Sequence, residues 1–196
     1  MKRIFILFSN HGRTRGDWRE LMAAGRLDIV VHSIISAFFL AKAMRRDTRL
    51  HVVLNGPPDP PKHIQFDYDP EMPISKKDIG NLLRATLWKY KPGRKVSAFP
   101  GIAIEKLGFE KLIEDYASRP DCELYLLDPR GLDIAQFDFP DKELVFVLGD
   151  HEGIPKPQKR RVKKRATAVL SIGPLPYFTS QCITVVNNFL DRTIFG

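Results

Sequence analysis

Cysteine is scarce in this chain of 196 residues, which contains only Cys122 and Cys182. Two cysteines cannot form the disulfide framework that stabilises many small secreted domains. Neither of them lies in a CxxC or Cys/His spacing that would hold a structural zinc ion. His151 and Glu152 are adjacent, but no second histidine follows at helical spacing. We therefore expect no metal.

Long apolar runs are also missing. A helix that crosses a bilayer needs about 20 consecutive apolar residues, and no stretch of the sequence approaches that length. The N-terminal apolar run, residues 4–8, is too short for the apolar part of a signal peptide, and no small-residue cleavage site follows it. We expect a cytoplasmic protein with no membrane partner.

Several well-known catalytic and nucleotide-binding motifs are absent. No GxGxxG follows a strand, and no GxxxxGK[ST] phosphate-binding loop occurs. The GxSxG, HExxH and zinc-deaminase signatures are missing as well. These absences argue against a dinucleotide-binding enzyme, a P-loop protein, a serine hydrolase of the α/β class and a zinc protease.

Positive charge, by contrast, is plentiful. The chain has 31 Lys and Arg against 23 Asp and Glu, a net charge of +8. Such a surface attracts polyanions, of which nucleic acid is the commonest. The densest cluster contains Lys156, Lys159, Arg160, Arg161, Lys163, Lys164 and Arg165, and a second set contains Arg13, Arg15, Arg45 and Arg46. The clusters favour phosphate contacts with RNA, and a solvated helix face is the alternative.

Apolar strand-like runs alternate with amphipathic helical stripes along the whole chain. The strand-like runs are residues 4–8, 50–54, 122–127, 144–148 and 168–172. The longest stripe begins at Asp28 and is predicted to close on Arg45 and Arg46, and Ser75 is predicted to cap a second helix. This alternation predicts one α/β domain over residues 1–196, with a mostly parallel sheet and helices on both faces.

Two of these strands end in glycine-rich turns, at residues 149–153 and 173–176. Ligands of open α/β sheets bind at the carboxyl ends of the strands, so the two turns predict a ligand site. Leu127, Leu148 and Ile172 would supply apolar walls.

Seven short segments carry a resemblance to a known family. They are FVLGDHEG at 146–153, SIGPL at 171–175, SQCIT at 180–184, GRLD at 25–28, AFFL at 37–40, RRD at 45–47 and NGPP at 55–58. On these segments the chain resembles the SPOUT methyltransferases, and within them the archaeal enzymes that methylate N1 of pseudouridine in tRNA. The resemblance implies a deep C-terminal trefoil knot, S-adenosylmethionine as cofactor, a homodimer, and position 54 of the tRNA T-loop as target.

The resemblance also assigns cofactor residues, all within the knot region at about 122–196. They are Leu127, Gly149, Ser171, Ile172, Gly173, Pro174, Leu175, Pro176 and Cys182. Glycine at 149 would let a ligand approach the backbone closely, and the alternative is that it only turns the chain after a strand. Cys182 could equally be a small buried hydrophobic residue.

Methylation at N1 of pseudouridine requires loss of a weakly acidic proton. A carboxylate could accept that proton and a cation could steady the developing charge, so we predict Asp28 and Arg26 as the catalytic pair. Asp150 is the second candidate. The alternatives are a helix N-cap for Asp28 and a turn-closing carboxylate for Asp150. His11 and Phe178 are candidates for stacking on the target base.

Two rival functions remain open on the sequence alone. One is methylation of a pseudouridine in ribosomal RNA by the same chemistry. The other is RNA binding without catalysis on the same scaffold.

Overall fold

Alternating strands and helices build an eight-stranded mixed sheet in the computed structural model, which describes residues 2–195. The strands are β1 Arg3–Ser9, β2 Thr48–Leu54, β3 Lys62–Asp67, β4 Val96–Phe99, β5 Ile102–Glu105, β6 Cys122–Asp133, β7 Glu143–Gly149 and β8 Ala168–Ser171. The helices are α1 Leu27–Phe38, α2 Ile79–Trp88, α3 Phe109–Ala117, α4 Lys156–Arg165 and α5 Thr179–Phe195. None of the helices in the described part of the chain is long and apolar enough to cross a membrane.

The strand order is β4-β5-β3-β2-β1-β7-β6-β8. Strands β2, β1, β7, β6 and β8 are parallel, as predicted. Strands β3, β5 and β4 extend the sheet in antiparallel fashion. The sheet is therefore mixed, because the proline-rich connection between β2 and β3 is too short to hold a crossover helix and reverses the chain instead.

Helices cover both faces of the sheet, as expected. One apolar core joins α1, α2 and α5 to the face that carries Phe5 and Leu7. The other joins α3 and α4 to the face that carries Ile4 and Ile6. Because β1 is buried on both faces, its sequence is an uninterrupted apolar run rather than an alternating one.

The last helix ties the C-terminal part of the chain to the N-terminal part. Asn187 of α5 donates a hydrogen bond to the carbonyl of Ser36 in α1, 3.0 Å away. Arg3, 2% exposed, forms ion pairs with Asp47 and Asp191 at 2.9 and 2.8 Å. The helix therefore crosses from the β8 edge towards the middle of the sheet.

Two predicted helix boundaries are wrong. Helix α1 ends at Phe38 because Phe39 adopts an extended backbone, so the helix stops well before Arg45. Helix α2 begins at Ile79, with Asp78 as its N-cap residue, because the preceding residues form a separate turn closed by Asp78 N–H and the Ser75 carbonyl.

A chain of buried polar groups links β2, β3 and α3. His51 Nδ1 lies 2.7 Å from His63 Nε2, and His51 Nε2 lies 2.7 Å from the Tyr116 hydroxyl. His63 Nδ1 lies 3.1 Å from the carboxylate of Glu105. With both histidines neutral, one arrangement satisfies every group: His63 donates to the carboxylate and accepts from His51, and His51 accepts from Tyr116.

This neutral chain predicts a loss of stability in acid. Burial holds the pKa of His51 well below its ordinary value of 6.5 and also lowers the pKa of His63. The unfolded chain therefore binds protons more readily than the folded one. The stability that the two neutral histidines contribute is complete above pH 6.5 and is lost as the pH falls below it. We expect the free energy of unfolding to fall by up to about 1.4 kcal/mol per histidine for each pH unit. Urea denaturation at about pH 7.5 and pH 5 measures the free energy of unfolding of the wild type and of a His51→Gln/His63→Gln variant. The free energy of the variant should change less between the two pH values. Equal slopes for the two proteins would contradict the assignment.

Candidate active site

The irregular middle of β6 and the carboxyl ends of β7 and β8 meet around a cavity of about 180 Å³, which we call the loop pocket. Its lining includes seven of the nine predicted cofactor residues: Leu127, Gly149, Ile172, Gly173, Leu175, Pro176 and Cys182. The structure thus brings together residues from three separate strands, although β6 continues to Asp133 beyond the end predicted for it at residue 127. Ser171 and Pro174 are outside the lining. The Ser171 hydroxyl instead closes the turn by contacting the backbone of Gly173.

Gly149 is required by the chain's own backbone. A Cβ atom at this position would lie 2.4 Å from the carbonyl carbon of Gly153 and 2.6 Å from the amide nitrogen of Ile154. These distances are far shorter than van der Waals contact, so no larger residue fits without moving the turn. The contacts of Gly149 therefore agree with the alternative interpretation, in which this residue turns the chain after β7. Gly149 also lines the loop pocket, so its assignment as a cofactor residue stays a prediction.

The segment between β8 and α5 has the character of a ligand-binding wall. Leu175 and Phe178 are 64% and 76% exposed. The backbone amides of Leu175 and Tyr177 make no hydrogen bond with any other group in residues 2–195. Thr179 fixes the end of the segment, because its hydroxyl donates to the Gly149 carbonyl at 3.0 Å. This segment therefore offers a ligand exposed apolar surface and free backbone N–H donors, and its end is held in place by Thr179.

A second, larger cavity of about 600 Å³ adjoins the loop pocket, and we call it the cleft. It is lined by Arg26, Asp28, Ile29, His32, Asp150, His151, Pro176, Tyr177, Phe178, Thr179 and Ser180. Four of these residues also line the loop pocket, namely Asp150, Pro176, Tyr177 and Thr179. The two cavities are therefore neighbours that share one wall, and the predicted catalytic pair lies across that wall from the predicted cofactor residues.

Arg26 and Asp28 form a bidentate pair on the floor of the cleft. Arg26 Nε and Nη2 each donate to one oxygen of Asp28 at 3.0 Å. These hydrogen bonds hold the pKa of the Asp28 carboxyl below its usual range, so the group is an anion at neutral pH. Asp28 does not cap α1, because Arg26 is the N-cap residue and Asp28 lies in the first turn. The N-cap alternative for Asp28 is thus wrong.

The position of the Arg26–Asp28 pair depends on a close contact between the backbones of Gly25 and His11. Gly25 has φ of +72°, and a Cβ atom there would lie 1.7 Å from the carbonyl oxygen of His11. Only glycine fits, and the chain then passes directly into Arg26, which has φ of +62°. Arg26 is the one described non-glycine residue with a positive φ. Left-handed backbone of this kind is costly for a residue with a side chain, and it is often found at functional sites.

This conformation predicts an unusual response to mutation. Arg26→Gly and Arg26→Ala both remove the ion pair with Asp28, but only alanine keeps a Cβ atom in the left-handed region. We expect the free energy of unfolding of Arg26→Gly to exceed that of Arg26→Ala by about 1 kcal/mol. Urea denaturation of the two variants measures the difference. An alanine variant as stable as the glycine variant would show that the backbone of residue 26 is unstrained.

Asp150 is engaged in the structure of its own turn. It is 7% exposed, and its oxygens accept from the backbone and side-chain amides of Asn10 at 2.7 and 2.8 Å. The backbone N–H of Glu152 also donates to it, at 3.0 Å. The geometry thus favours the turn-closing alternative for Asp150 over the role of proton acceptor.

Sequence reasoning missed several residues of the site. Asn10 joins the ends of β1 and β7, and nothing local in the sequence indicates this contact between residues 140 positions apart. His32 lines the cleft, and its spacing of four from Asp28 on a helix could have shown it. His11, a predicted stacking residue, contacts the carboxylate of Glu152 at 3.0 Å instead of lining the cleft. Phe178 does line the cleft.

The two cysteines lie in unreactive surroundings. Burial raises the pKa of Cys182 to about 11, which fits a pocket-lining thiol that stays protonated. Cys122, Asp121 and Glu143 are close enough together to suggest a metal site within the described chain. However, Arg119 forms ion pairs with Asp121 and Glu143 at 2.6 Å, so the carboxylates already face a cation.

The predicted RNA-binding cations fall into two groups. In α4, Lys159 pairs with Asp128 and Arg161 lies 3.5 Å from Glu110, while the other five cations of the cluster have no ion-pair partner in the described chain. Arg13 and Arg45 are bound to Asp17 and Asp191 at 2.9 and 2.5 Å. The Arg45 pair joins the chain after α1 to α5, whereas the Arg13 pair is a local surface pair, and both leave the arginine less available for RNA.

Comparison with solved structures finds proteins that share this fold. Archaeoglobus fulgidus Nep1 bound to S-adenosylhomocysteine aligns over 100% of this chain and 99% of its own, with a TM-score of 0.64 and 14% identity. A ribosomal RNA small subunit methyltransferase E from Neisseria gonorrhoeae, bound to S-adenosyl methionine, aligns over 98% of this chain and 66% of its own, with a TM-score of 0.51 and 9% identity.

Sequence comparison identifies the family to which the chain belongs. The model of the family described as "Putative SAM-dependent RNA methyltransferase" matches residues 2–195, and the chain belongs to this family. The tRNA (pseudouridine(54)-N(1))-methyltransferase of Pyrococcus abyssi is 35% identical over 202 residues, covering 97% of this chain and 98% of the relative. The enzyme of the same name from Methanococcoides burtonii is 30% identical over 199 residues, covering 99% and 98%. The sequence-based assignment of the family and of its cofactor is confirmed.

Proposed function

We propose that this protein uses S-adenosylmethionine bound in the loop pocket to methylate N1 of pseudouridine 54 in the T-loop of tRNA. The observation that carries the proposal is the shared wall between the loop pocket and the cleft. A methyl donor on one side and a nucleobase on the other would meet beside Tyr177 and Thr179, with the Arg26–Asp28 pair facing the base.

The loop pocket suits the cofactor. S-adenosylmethionine combines a flat purine, which backbone groups can recognise, with a charged sulfonium and an amino acid tail. Leu127, Ile172 and Leu175 offer apolar walls, and the unpaired amides of Leu175 and Tyr177 offer hydrogen-bond donors. When bound, the cofactor supplies an activated methyl group, so the protein has to provide position more than chemical activation.

Asp28 and Arg26 act on the base. The Asp28 carboxylate is anionic, and each of its oxygens keeps a free lone pair after binding Arg26, so it can accept the N1 proton as N1 becomes the nucleophile. The guanidinium of Arg26 stays beside the site and steadies negative charge that develops on the uracil ring. The target nucleotide has to leave its stack to enter the cleft, where the exposed ring of Phe178 is available for stacking.

The choice of tRNA rests on the sequence relatives. Relatives that are 30–35% identical over nearly the whole chain are named tRNA (pseudouridine(54)-N(1))-methyltransferases. A ribosomal RNA methyltransferase among the structural neighbours is only 9% identical. A substrate in tRNA is therefore favoured over one in ribosomal RNA, and such an enzyme would act in the cytoplasm.

Two further features belong to the proposal. The path of α5 from the β8 edge back to α1 supports a trefoil knot formed by the C-terminal segment, as the resemblance implies. A homodimer is supported by exposed apolar side chains around the site, which include Leu175, Tyr177 and Phe178. Light scattering on the purified protein measures the oligomeric state directly, and a monomer at micromolar concentration would contradict the dimer.

A thermal-shift experiment separates the enzyme from a non-catalytic RNA-binding protein. S-adenosylmethionine at about 100 times its dissociation constant should stabilise the folded protein by about 2.7 kcal/mol. S-adenosylhomocysteine should shift the melting temperature as well, and adenosine at the same concentration serves as the control. If none of the three ligands shifts the transition, the protein is a binding module.

A further inference from the structure

A third cavity, lined by cations, lies against another side of α1 than the cleft. Its volume is about 260 Å³, and its charged lining consists of Arg19, Lys76, Lys77, Arg84 and a single carboxylate, Asp78. None of the four cations forms an ion pair with a carboxylate in residues 2–195. Four cations that converge around a single carboxylate repel one another, and an anion bound among them relieves that repulsion.

The same cavity contains polar groups that lack partners. Trp18 is 8% exposed, and its Nε1 has no hydrogen-bond partner within the described residues. Arg84 lies over the Trp18 ring, 4.5 Å from its centroid, and its buried Nε is also without a partner. The one hydrogen bond of the Arg84 guanidinium is long, 3.4 Å to the carbonyl of Arg19. A half-buried guanidinium with unused donors is well suited to an anionic oxygen.

The position of this cavity relates it to the cleft. Asp28 and His32 of α1 line the cleft, whereas Val31, between them on the same helix, lines the cationic cavity. The two cavities are thus separated by the first two turns of one helix. Helix α4, with its own unpaired cations, covers the opposite face of the sheet. Positive surface therefore flanks the site on both sides.

We infer that the surface formed by Arg19, Lys76, Lys77 and Arg84 binds the sugar–phosphate backbone of the RNA whose base enters the cleft. The inference rests on the proposed function, since it takes the substrate to be RNA. Phosphate oxygens match both the charge and the unused donors of this surface. With α4 on the other face, the RNA would be held on both sides of the nucleotide that is flipped into the cleft.

The test is a double substitution with a matched control. Lys76→Gln/Lys77→Gln removes two charges at the surface, and both lysines are exposed. Lys91→Gln/Arg94→Gln removes the same charge from exposed residues beyond the other end of α2. We expect the first variant to bind a pseudouridylated tRNA transcript about tenfold more weakly than the control, and the slope of log affinity against log salt to fall by about 1–2. The Kd for S-adenosylmethionine should be the same in both.

Each outcome decides one of the two proposals. If the two variants bind the transcript equally, the surface does not contact RNA, even when the wild-type protein methylates tRNA. If the first variant alone loses affinity while the wild-type protein transfers no methyl group to tRNA, the surface is correct and the proposed function is wrong.

Discussion

Asp28→Asn should lower kcat for pseudouridylated tRNA by about 10²- to 10⁴-fold, because an amide cannot accept the N1 proton. The substitution preserves the shape of the side chain and one acceptor oxygen for Arg26, so the cleft should stay intact. The Kd for S-adenosylmethionine should not change, since Asp28 does not line the loop pocket. Single-turnover kinetics and isothermal titration calorimetry measure the two quantities separately.

The chain offers a matched control for this change. Asp17 also forms a bidentate pair with an arginine, Arg13, and lies in the loop that precedes α1, but outside the cleft. Asp17→Asn should leave kcat within about twofold of the wild type, as expected for a surface ion pair. Equal rates for Asp28→Asn and the wild-type protein would remove Asp28 from the mechanism.

Gly149→Ala should weaken cofactor binding at least about tenfold and lower the free energy of unfolding by about 1–3 kcal/mol. The added methyl group would overlap the backbone of Gly153 and Ile154, so the turn after β7 has to move. That turn forms one wall of the loop pocket and holds Thr179 through the Gly149 carbonyl. Calorimetric titration with S-adenosylmethionine and urea denaturation measure the two effects.

Gly108→Ala is the corresponding control. A Cβ atom at Gly108 would meet no other atom within 4 Å, and the residue has an ordinary backbone φ of −77°. Gly108 is the N-cap residue of α3, where glycine is preferred over alanine, but alanine also restricts the unfolded chain. Because these two effects offset each other, the free energy of unfolding should stay within about 0.5 kcal/mol of the wild type, and cofactor binding should be unchanged. If Gly149→Ala binds the cofactor as tightly as Gly108→Ala does, the turn after β7 is not part of the pocket.

Local sequence was sufficient for the elements that depend on local interactions. Strand β1 follows from a run of β-branched and aromatic residues, and α4 follows from a proline in the first turn and a run of good helix formers. The end of α1 was missed because apolar spacing continues past Phe38, while the chain leaves the helix to pair Phe39 with Met44 in an isolated bridge. The strand predicted at residues 122–127 continues to Asp133, with an irregularity where the pairing with β8 shifts between Leu127 and Leu132.

The site depends on contacts that no local pattern contains. The predicted cofactor residues could be grouped because parallel strands end at one edge, so their sequence positions indicate their spatial order. The position of Arg26, however, depends on the backbone of His11 pressing against Gly25. The burial of Asp150 depends on Asn10, at the other end of the chain. Contacts of this kind, between residues far apart in the sequence, can be recognised only in the folded structure.

Methyl transfer to defined tRNA transcripts tests the central claim most directly. The protein is incubated with S-adenosylmethionine and one of three substrates: tRNA with pseudouridine at position 54, the same tRNA with uridine there, and a ribosomal RNA hairpin that contains pseudouridine. Nucleoside mass spectrometry then locates the methyl group. The proposed function predicts N1-methylpseudouridine at position 54 of the first substrate and no product from the second. Methylation of the ribosomal hairpin alone, or of none of the three, would contradict it.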